Sequence, residues 1–326
     1  MRIHIQNSTS SRMFTLTPAQ WEAALARAGL SGAAFPVSFA DDPAGFAAGL
    51  GEAEMLVTTT DVIRQFFPRQ APNLRAVFIT SAGVDRLAPY DWLPPGAALL
   101  NNRGAHAAKA GEFAIMALLM LANRMTAFAT AQREQRWQPL HGSILASRRL
   151  TVIGTGTLGA AAAQQARHFG LHVTGLRNRS LPHPDFDVVA GIDTLDAVLP
   201  DTEFLLLTCP LTDATRGLLD RRRLSLLPPG AGVINMGRGA LLDQEALCDR
   251  LDDGHLSGAV LDVFVPEPVP PGHRLWTTKN LVMTPHVSAD DPATYNPQSL
   301  DIFLENVRAH QDGRPMPNLV DLVKGY

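Results

Sequence analysis

The chain has 326 residues, 46% of them hydrophobic and 18% charged, which suggests two folded domains and excludes a disordered or fibrous protein. Its 28 basic and 31 acidic residues leave a net charge of -3, so nothing global favours nucleic acid or an anionic membrane as partner. Cys209 and Cys248 are the only cysteines, too few for a disulfide framework or a thiolate zinc site, and they point to a reducing, cytoplasmic setting.

The N-terminal stretch has no apolar segment of signal-peptide type, and the longest apolar run, Phe113 to Ala122, is about half a membrane span. No membrane partner is expected. Apolar β-rich runs alternate with Ala/Leu-rich stretches along the whole chain, the pattern of an α/β protein with doubly wound, mostly parallel sheets. In the first hundred residues strands are predicted at Arg2 to Ile5, Met55 to Thr58, Ala76 to Ile79 and Ala98 to Leu100. A helix is predicted from Pro18 to Ala28, with Thr17 as N-cap and proline at its first position. The polar loop Asn7 to Arg12 follows the first strand and is a candidate pocket lining.

Ala105 to Thr126 reads as one long helix, apolar on nearly every face and therefore buried. The Arg- and Gln-rich stretch Gln132 to Arg149, with Trp137 and Pro139, reads as a connecting arm. Strands follow at Leu150 to Ile153, His172 to Leu176, Phe204 to Thr208, Gly232 to Asn235, Gly258 to Val263 and Leu281 to Thr284. Helices are predicted at Leu158 to Phe169, Asp220 to Leu227 and Asp243 to Leu251. In such sheets ligands bind beyond the carboxyl ends of the strands, so the chemistry is sought there.

The first of these ends carries VIGTGTLG, in which Gly154, Gly156 and Gly159 form GxGxxG between a strand and an Ala-rich helix. The three glycines suit a tight turn, backbone approach to a pyrophosphate and close helix-strand packing. Eighteen residues on, the next strand ends in GLRNRS, where an NAD-binding chain usually has an acid for the ribose 2'-hydroxyl. Arg177 and Arg179 instead suit a 2'-phosphate, with Asn178 and Ser180 as added donors, which favours NADPH over NADH. Later strand ends supply Arg238 in MGRG, Asp262 in LDV, Glu267 in the PEP that follows, and His286 in TPH. An anion anchor, an acid/base and its carboxylate partner make a coherent set. No spacing among the other histidines suggests a metal.

These residues resemble the D-isomer-specific 2-hydroxyacid dehydrogenase family, in particular its NADPH-dependent glyoxylate/hydroxypyruvate reductase-like members. The likeness runs through TSAGVDRL, GEFAIMALLMLANR, TCPLTDATRGLL, INMGRGALLDQEAL, GAVLDVFVPEP, LVMTPHVS and ENVRAHQDGRP. It implies a catalytic set of Arg238, Glu267 and His286, and a nicotinamide-carboxamide ligand at Asp262. It also implies cofactor contacts at Thr155, Thr157, Leu158, Thr208, Cys209, Pro210, Met236, Gly237 and His286. The substrate carboxylate would be held by Arg238 and the backbone N–H groups of Ala82, Gly83 and Val84.

By the same resemblance, residues 1–100 and 287–326 form a flavodoxin-like substrate-binding domain around an inserted Rossmann domain, 101–286, and the protein is a homodimer. Phe113 departs from the pattern, since many relatives have His there. The expected reaction is NAD(P)H-dependent reduction of a small 2-keto acid to the D-2-hydroxy acid. The alternatives are phosphite or another dehydrogenase of the same fold, and a non-catalytic nucleotide-sensing scaffold.

Overall fold

The computed structural model describes residues 1–10 and 12–326, with the Arg12 side chain left out. Two compact units divide the chain: Met1–Ala105 with Asp291–Tyr326, and His106–Asp290. Along the first unit run β1 (Ile3–Gln6), α1 (Pro18–Ala28), β2 (Val37–Ala40), α2 (Pro43–Glu52), β3 (Met55–Thr58), α3 (Thr60–Phe66), β4 (Ala76–Ile79) and β5 (Ala98–Asn101). The second unit carries α4 (Ala107–Ala122), α5 (Met125–Arg133), β6 (Arg149–Ile153), α6 (Thr157–His168), β7 (His172–Arg177), β8 (Val188–Gly191), α7 (Leu195–Val198) and β9 (Phe204–Leu207). It continues with α8 (Arg221–Leu226), β10 (Ala231–Asn235), α9 (Gln244–Asp252), β11 (Leu256–Leu261) and β12 (Leu281–Met283), before α10 (Tyr295–Gln311) returns to the first unit.

Both sheets are parallel, in the orders β2-β1-β3-β4-β5 and β12-β11-β10-β9-β6-β7-β8. Their central strands are covered on both faces, which is why MLVT, AVFI and FLLL are continuous apolar runs rather than alternating ones. In the second unit the chain winds from β6 outward to β8, then restarts at β9 on the other side of β6. That reversal opens a crevice at the carboxyl ends of β6 and β9.

Local signals explain the elements. Thr17 and Gln20 close a reciprocal capping box on α1, Pro18 starts the helix, and Gly29 ends it in the left-handed conformation at φ 64°. In the first unit α10 packs its Phe303 against Trp21 of α1 and Phe78 of β4. In the second, Gly111 brings α4 against α6, where an added Cβ would lie 3.2 Å from the Ala161 carbonyl oxygen.

The predicted single helix from Ala105 to Thr126 is two helices. Arg124 adopts φ 58°, and α4 and α5 meet at 65°. Burial is confined to one side: Phe113 belongs to the apolar cluster with Leu118, Val152 and Leu206, whereas Met116 and Met125 are exposed. No single helix among the described residues is long and apolar enough to cross a membrane. The strands β2 and β8, which the sequence pattern did not reveal, are sheet edges and only partly buried.

Candidate active site

The turn between β6 and α6 is built around glycine. Gly154 has φ 104°, and a Cβ there would sit 2.6 Å from the Cys209 amide nitrogen, while a Cβ at Gly159 would overlap the Gly154 carbonyl oxygen. By contrast, the space over Gly156 is open, with nothing within 4 Å of a Cβ position. No side chain caps α6, and the first N–H groups of a helix have no partner within it. The first N–H groups of α6 therefore follow directly on the open space at Gly156, which fits a diphosphate. Thr155 is buried behind the turn, and Thr208 donates its hydroxyl to the Gly154 carbonyl at 2.8 Å, fixing the neighbouring strand end. Cys209 is buried against the turn, and burial pushes its thiol up to about 12. Pro210 is exposed beside it.

At the end of β7, Arg177 is half-buried and pairs in register with Gly191 of β8, while Asn178, Arg179 and Ser180 are exposed. No ion pair engages either guanidinium among the described residues. Two cationic forks thus stand at the strand end next to the glycine turn, with no carboxylate in the segment 177–180.

Three adjoining strands, β10, β11 and β12, deliver Arg238, Glu267 and His286. Asn235 shapes the first loop, accepting from the Gly237 N–H and donating to the Arg238 carbonyl, each at 3.0 Å. Met236 is buried in this turn. Gly239 is required because a Cβ would collide with the Phe264 backbone, and that close approach brings the Arg238 loop against the segment leading to Glu267. Arg238 itself donates to the Gly237 carbonyl at 2.9 Å and keeps its side chain partly exposed.

Glu267 Oε1 accepts the Phe264 N–H at 2.8 Å, and Oε2 lies 3.0 Å from His286 Nδ1. The carboxylate is the less exposed partner and the imidazole the more open one, with side-chain exposures of 18% and 43%. A carboxylate can only accept, so Nδ1 carries the hydrogen and Nε2 remains to take up or release a proton on the open side. His286 sits at φ 56°, and its N–H is shared between the carbonyls of Asp262 and Thr284. A left-handed conformation at a residue other than glycine costs on the order of 1–3 kcal/mol and is kept only where surrounding bonds impose it.

Asp262 supplies much of that constraint. Its carboxylate is 1% exposed and accepts the Thr284 hydroxyl at 2.6 Å, the Val287 N–H at 2.9 Å and the Ser288 N–H at 3.0 Å. The residue expected to meet a carboxamide is thus bonded to the loop that carries His286. Sequence reading overlooked Asn235 and His106, although a buried Asn ending an apolar strand was a usable signal. His106 Nδ1 lies 3.1 Å from the Ala289 carbonyl oxygen. Among the described residues no cluster of His, Cys, Asp and Glu is arranged to hold a metal.

In the first unit, SAGVD forms the loop after β4. The Asn101 amide donates to the Ala82 carbonyl at 3.0 Å, the Asn102 N–H to the Ser81 carbonyl at 3.0 Å, and the Ser81 hydroxyl to the Gly83 carbonyl at 3.0 Å. Across a trans peptide the carbonyl and the next N–H point opposite ways. Tying back these carbonyls therefore turns the N–H groups of Ala82, Gly83 and Val84 away from the groups that hold them. In the Asn7 to Arg12 loop, Asn7 closes a reciprocal bond pair with the Leu16 backbone, and Ser8 and Ser10 donate to Asp61. Ser11 lies outside the described residues.

The second unit is a Rossmann-type dinucleotide fold, with its loops gathered at one sheet edge. The family model for the NAD binding domain of D-isomer specific 2-hydroxyacid dehydrogenase matches residues 115–288. A glyoxylate/hydroxypyruvate reductase A of Serratia proteamaculans is 30% identical over 260 residues, 78% of this chain and 82% of that protein. A D-isomer specific 2-hydroxyacid dehydrogenase from Xanthobacter autotrophicus, solved with NADPH and MES, is 30% identical with a TM-score of 0.81, covering 99% of each chain. An NADPH-dependent glyoxylate/hydroxypyruvate reductase from Sinorhizobium meliloti, solved with NADP and sulfate, is 26% identical with a TM-score of 0.81, covering 100% of this chain and 99% of that one. The chain belongs to the D-isomer specific 2-hydroxyacid dehydrogenase family, and it is an oxidoreductase of that family.

Proposed function

We propose that the protein reduces a small 2-keto acid of the glyoxylate or hydroxypyruvate type to the D-2-hydroxy acid, with NADPH preferred over NADH. The carrying observation is the Glu267–His286 pair on the strand end beside the Arg238 loop, in the unit that holds the glycine turn. Bound nicotinamide nucleotide supplies a hydride to the carbonyl carbon. Thr157, Leu158 and Gly159 hold its diphosphate through backbone N–H groups, and Arg177 with Arg179, Asn178 and Ser180 receive the 2'-phosphate. Thr155, Thr208, Cys209, Pro210, Met236, Gly237 and His286 are assigned to the remaining nucleotide contacts on the family resemblance.

Arg238 pairs with the substrate carboxylate and draws electron density onto the carbonyl oxygen as charge develops there. The N–H groups of Ala82, Gly83 and Val84, in the first unit, are assigned to substrate binding. His286, protonated on both nitrogens, releases the Nε2 proton to that oxygen, and Glu267 stabilises the charged ring and fixes its orientation. Asp262 acts by holding the His286 loop, and any contact it makes with a carboxamide is additional. Residues 1–105 and 291–326 are assigned to substrate binding, and 106–290 to the nucleotide.

The small number of cysteines, two and both buried without a disulfide, supports a cytoplasmic setting. Trp137 and Ile144, 98% and 78% exposed on the arm after α5, support a homodimer. NADPH oxidation measured with glyoxylate, hydroxypyruvate, pyruvate and larger 2-keto acids tests the activity. Turnover of the two- and three-carbon acids, with D-stereochemistry in the chiral products, is expected. Phosphite oxidation without keto-acid turnover would reassign the enzyme. Nucleotide binding with no turnover of either would make the chain a nucleotide sensor.

A further inference from the structure

His106 stands at the N-cap of α4 but does not cap it: its backbone is already helical, and its side chain makes no cap hydrogen bond. Ser, Thr, Asp or Asn usually fills such a position because the side chain serves the helix. Here the imidazole is turned elsewhere. Its Nδ1 lies 3.1 Å from the Ala289 carbonyl oxygen and 3.8 Å from Asp290 Oδ1, and the residue is 8% exposed. A carbonyl only accepts, so Nδ1 donates.

The segment from His286 to Asp290 is therefore held at both ends. Asp262 takes the N–H groups of Val287 and Ser288, while His106 takes the Ala289 carbonyl. Between them, the left-handed backbone of His286 is imposed rather than intrinsic. We propose that His106 is a positioning residue for His286, fixing through Ala289 the loop that presents the imidazole to the substrate.

The inference rests on the reading of His286 as proton donor. His106 acts in its neutral form. Burial holds its pKa below the ordinary imidazole value, the charges of Arg238 and His286 push the same way, and the Ala289 carbonyl and Asp290 carboxylate oppose them. Asp290 is itself raised by burial and by Asp262, against the pull of His106 and His286. A neutral donor anchors the loop without placing a second cation beside the imidazolium.

The test compares His106→Asn, His106→Gln and His106→Leu with wild type, at saturating NADPH and varied hydroxypyruvate. The Asn amide nitrogen reaches the position of Nδ1, the Gln amide reaches that of Nε2, and Leu donates nothing. His106→Leu and His106→Gln should lower kcat on the order of 10- to 100-fold, with KM and nucleotide affinity little changed. The solvent deuterium isotope effect on kcat should grow as proton delivery becomes limiting. His106→Asn should keep most of wild-type kcat.

Wild-type kcat in His106→Leu, or equal losses in His106→Asn and His106→Gln, would overturn the assignment. Should His106→Leu not fold, the Asn and Gln pair decides alone. His286→Gln is the control for the underlying reading: near-wild-type turnover in that variant removes the donor itself, and with it any positioning role. A strong loss in His286→Gln with none in His106→Leu or His106→Gln sinks only the role of His106.

Discussion

Arg177 occupies a strand end where the choice between a carboxylate and a guanidinium decides which nucleotide is welcome, because a 2'-phosphate repels the first and bonds the second. A hydrogen bond to a charged group contributes about 1.5–3 kcal/mol. Arg177→Asp should therefore lower kcat/KM for NADPH on the order of 10- to 100-fold and narrow or invert the preference over NADH. Steady-state kinetics with both nucleotides check this, and equal wild-type values for the two would remove the basis for NADPH. At this scale the glycines of the turn, Arg177, Arg238 and His286 stood out in the sequence by residue type and by their place at a strand end. Asp262 and His106 were harder to read. Their partners include backbone groups of residues 287–289, and only the folded chain shows that each holds that loop.

Among the elements, the buried strands were legible because burial on both faces demands uninterrupted apolar residues, as in FLLL of β9. The edge strands β2 and β8 escaped notice for the opposite reason, being half-exposed and too short for a period to emerge. Apolar periodicity also runs on through Asn123 and Arg124, so it hid the break between α4 and α5. That break depends on one left-handed residue. The α6 start makes a sharper test of how element and site are joined. A methyl group at Gly159 would press on the Gly154 carbonyl and force α6 away from β6. Overpacking of this kind costs about 1–3 kcal/mol. Gly159→Ala should lower the thermal midpoint and weaken nucleotide binding together, measured by calorimetry on the free protein and by titration with NADPH. Unchanged nucleotide affinity would show that the turn is not the diphosphate site.

For the molecule as a whole, alternating β and α segments made the parallel α/β class readable, and the strand order explains why the informative loops share one edge of the second sheet. Residues separated by dozens of positions become neighbours because β10, β11 and β12 are adjacent and parallel. The unit boundaries were less legible. They fall after Ala105 and Asp290, a few residues past the expected hinges at Leu100 and His286, because composition does not change where the chain passes from one unit to the other. Contacts decide the boundary there: His106 and the Asp290 loop bond to each other within the second unit.

The central claim is that Arg238 and the Glu267–His286 pair act on a keto acid while the glycine turn holds the nucleotide. The measurement that separates these tasks most directly is kcat/KM for hydroxypyruvate in Arg238→Ala, with NADPH affinity determined on the same preparation. Removing one preorganised donor to a developing oxyanion costs about 3 kcal/mol. The account predicts a fall in kcat/KM on the order of 10²- to 10³-fold with nucleotide affinity essentially unchanged, whereas near-wild-type kcat/KM would contradict it and leave Arg238 a structural residue of the β10 loop.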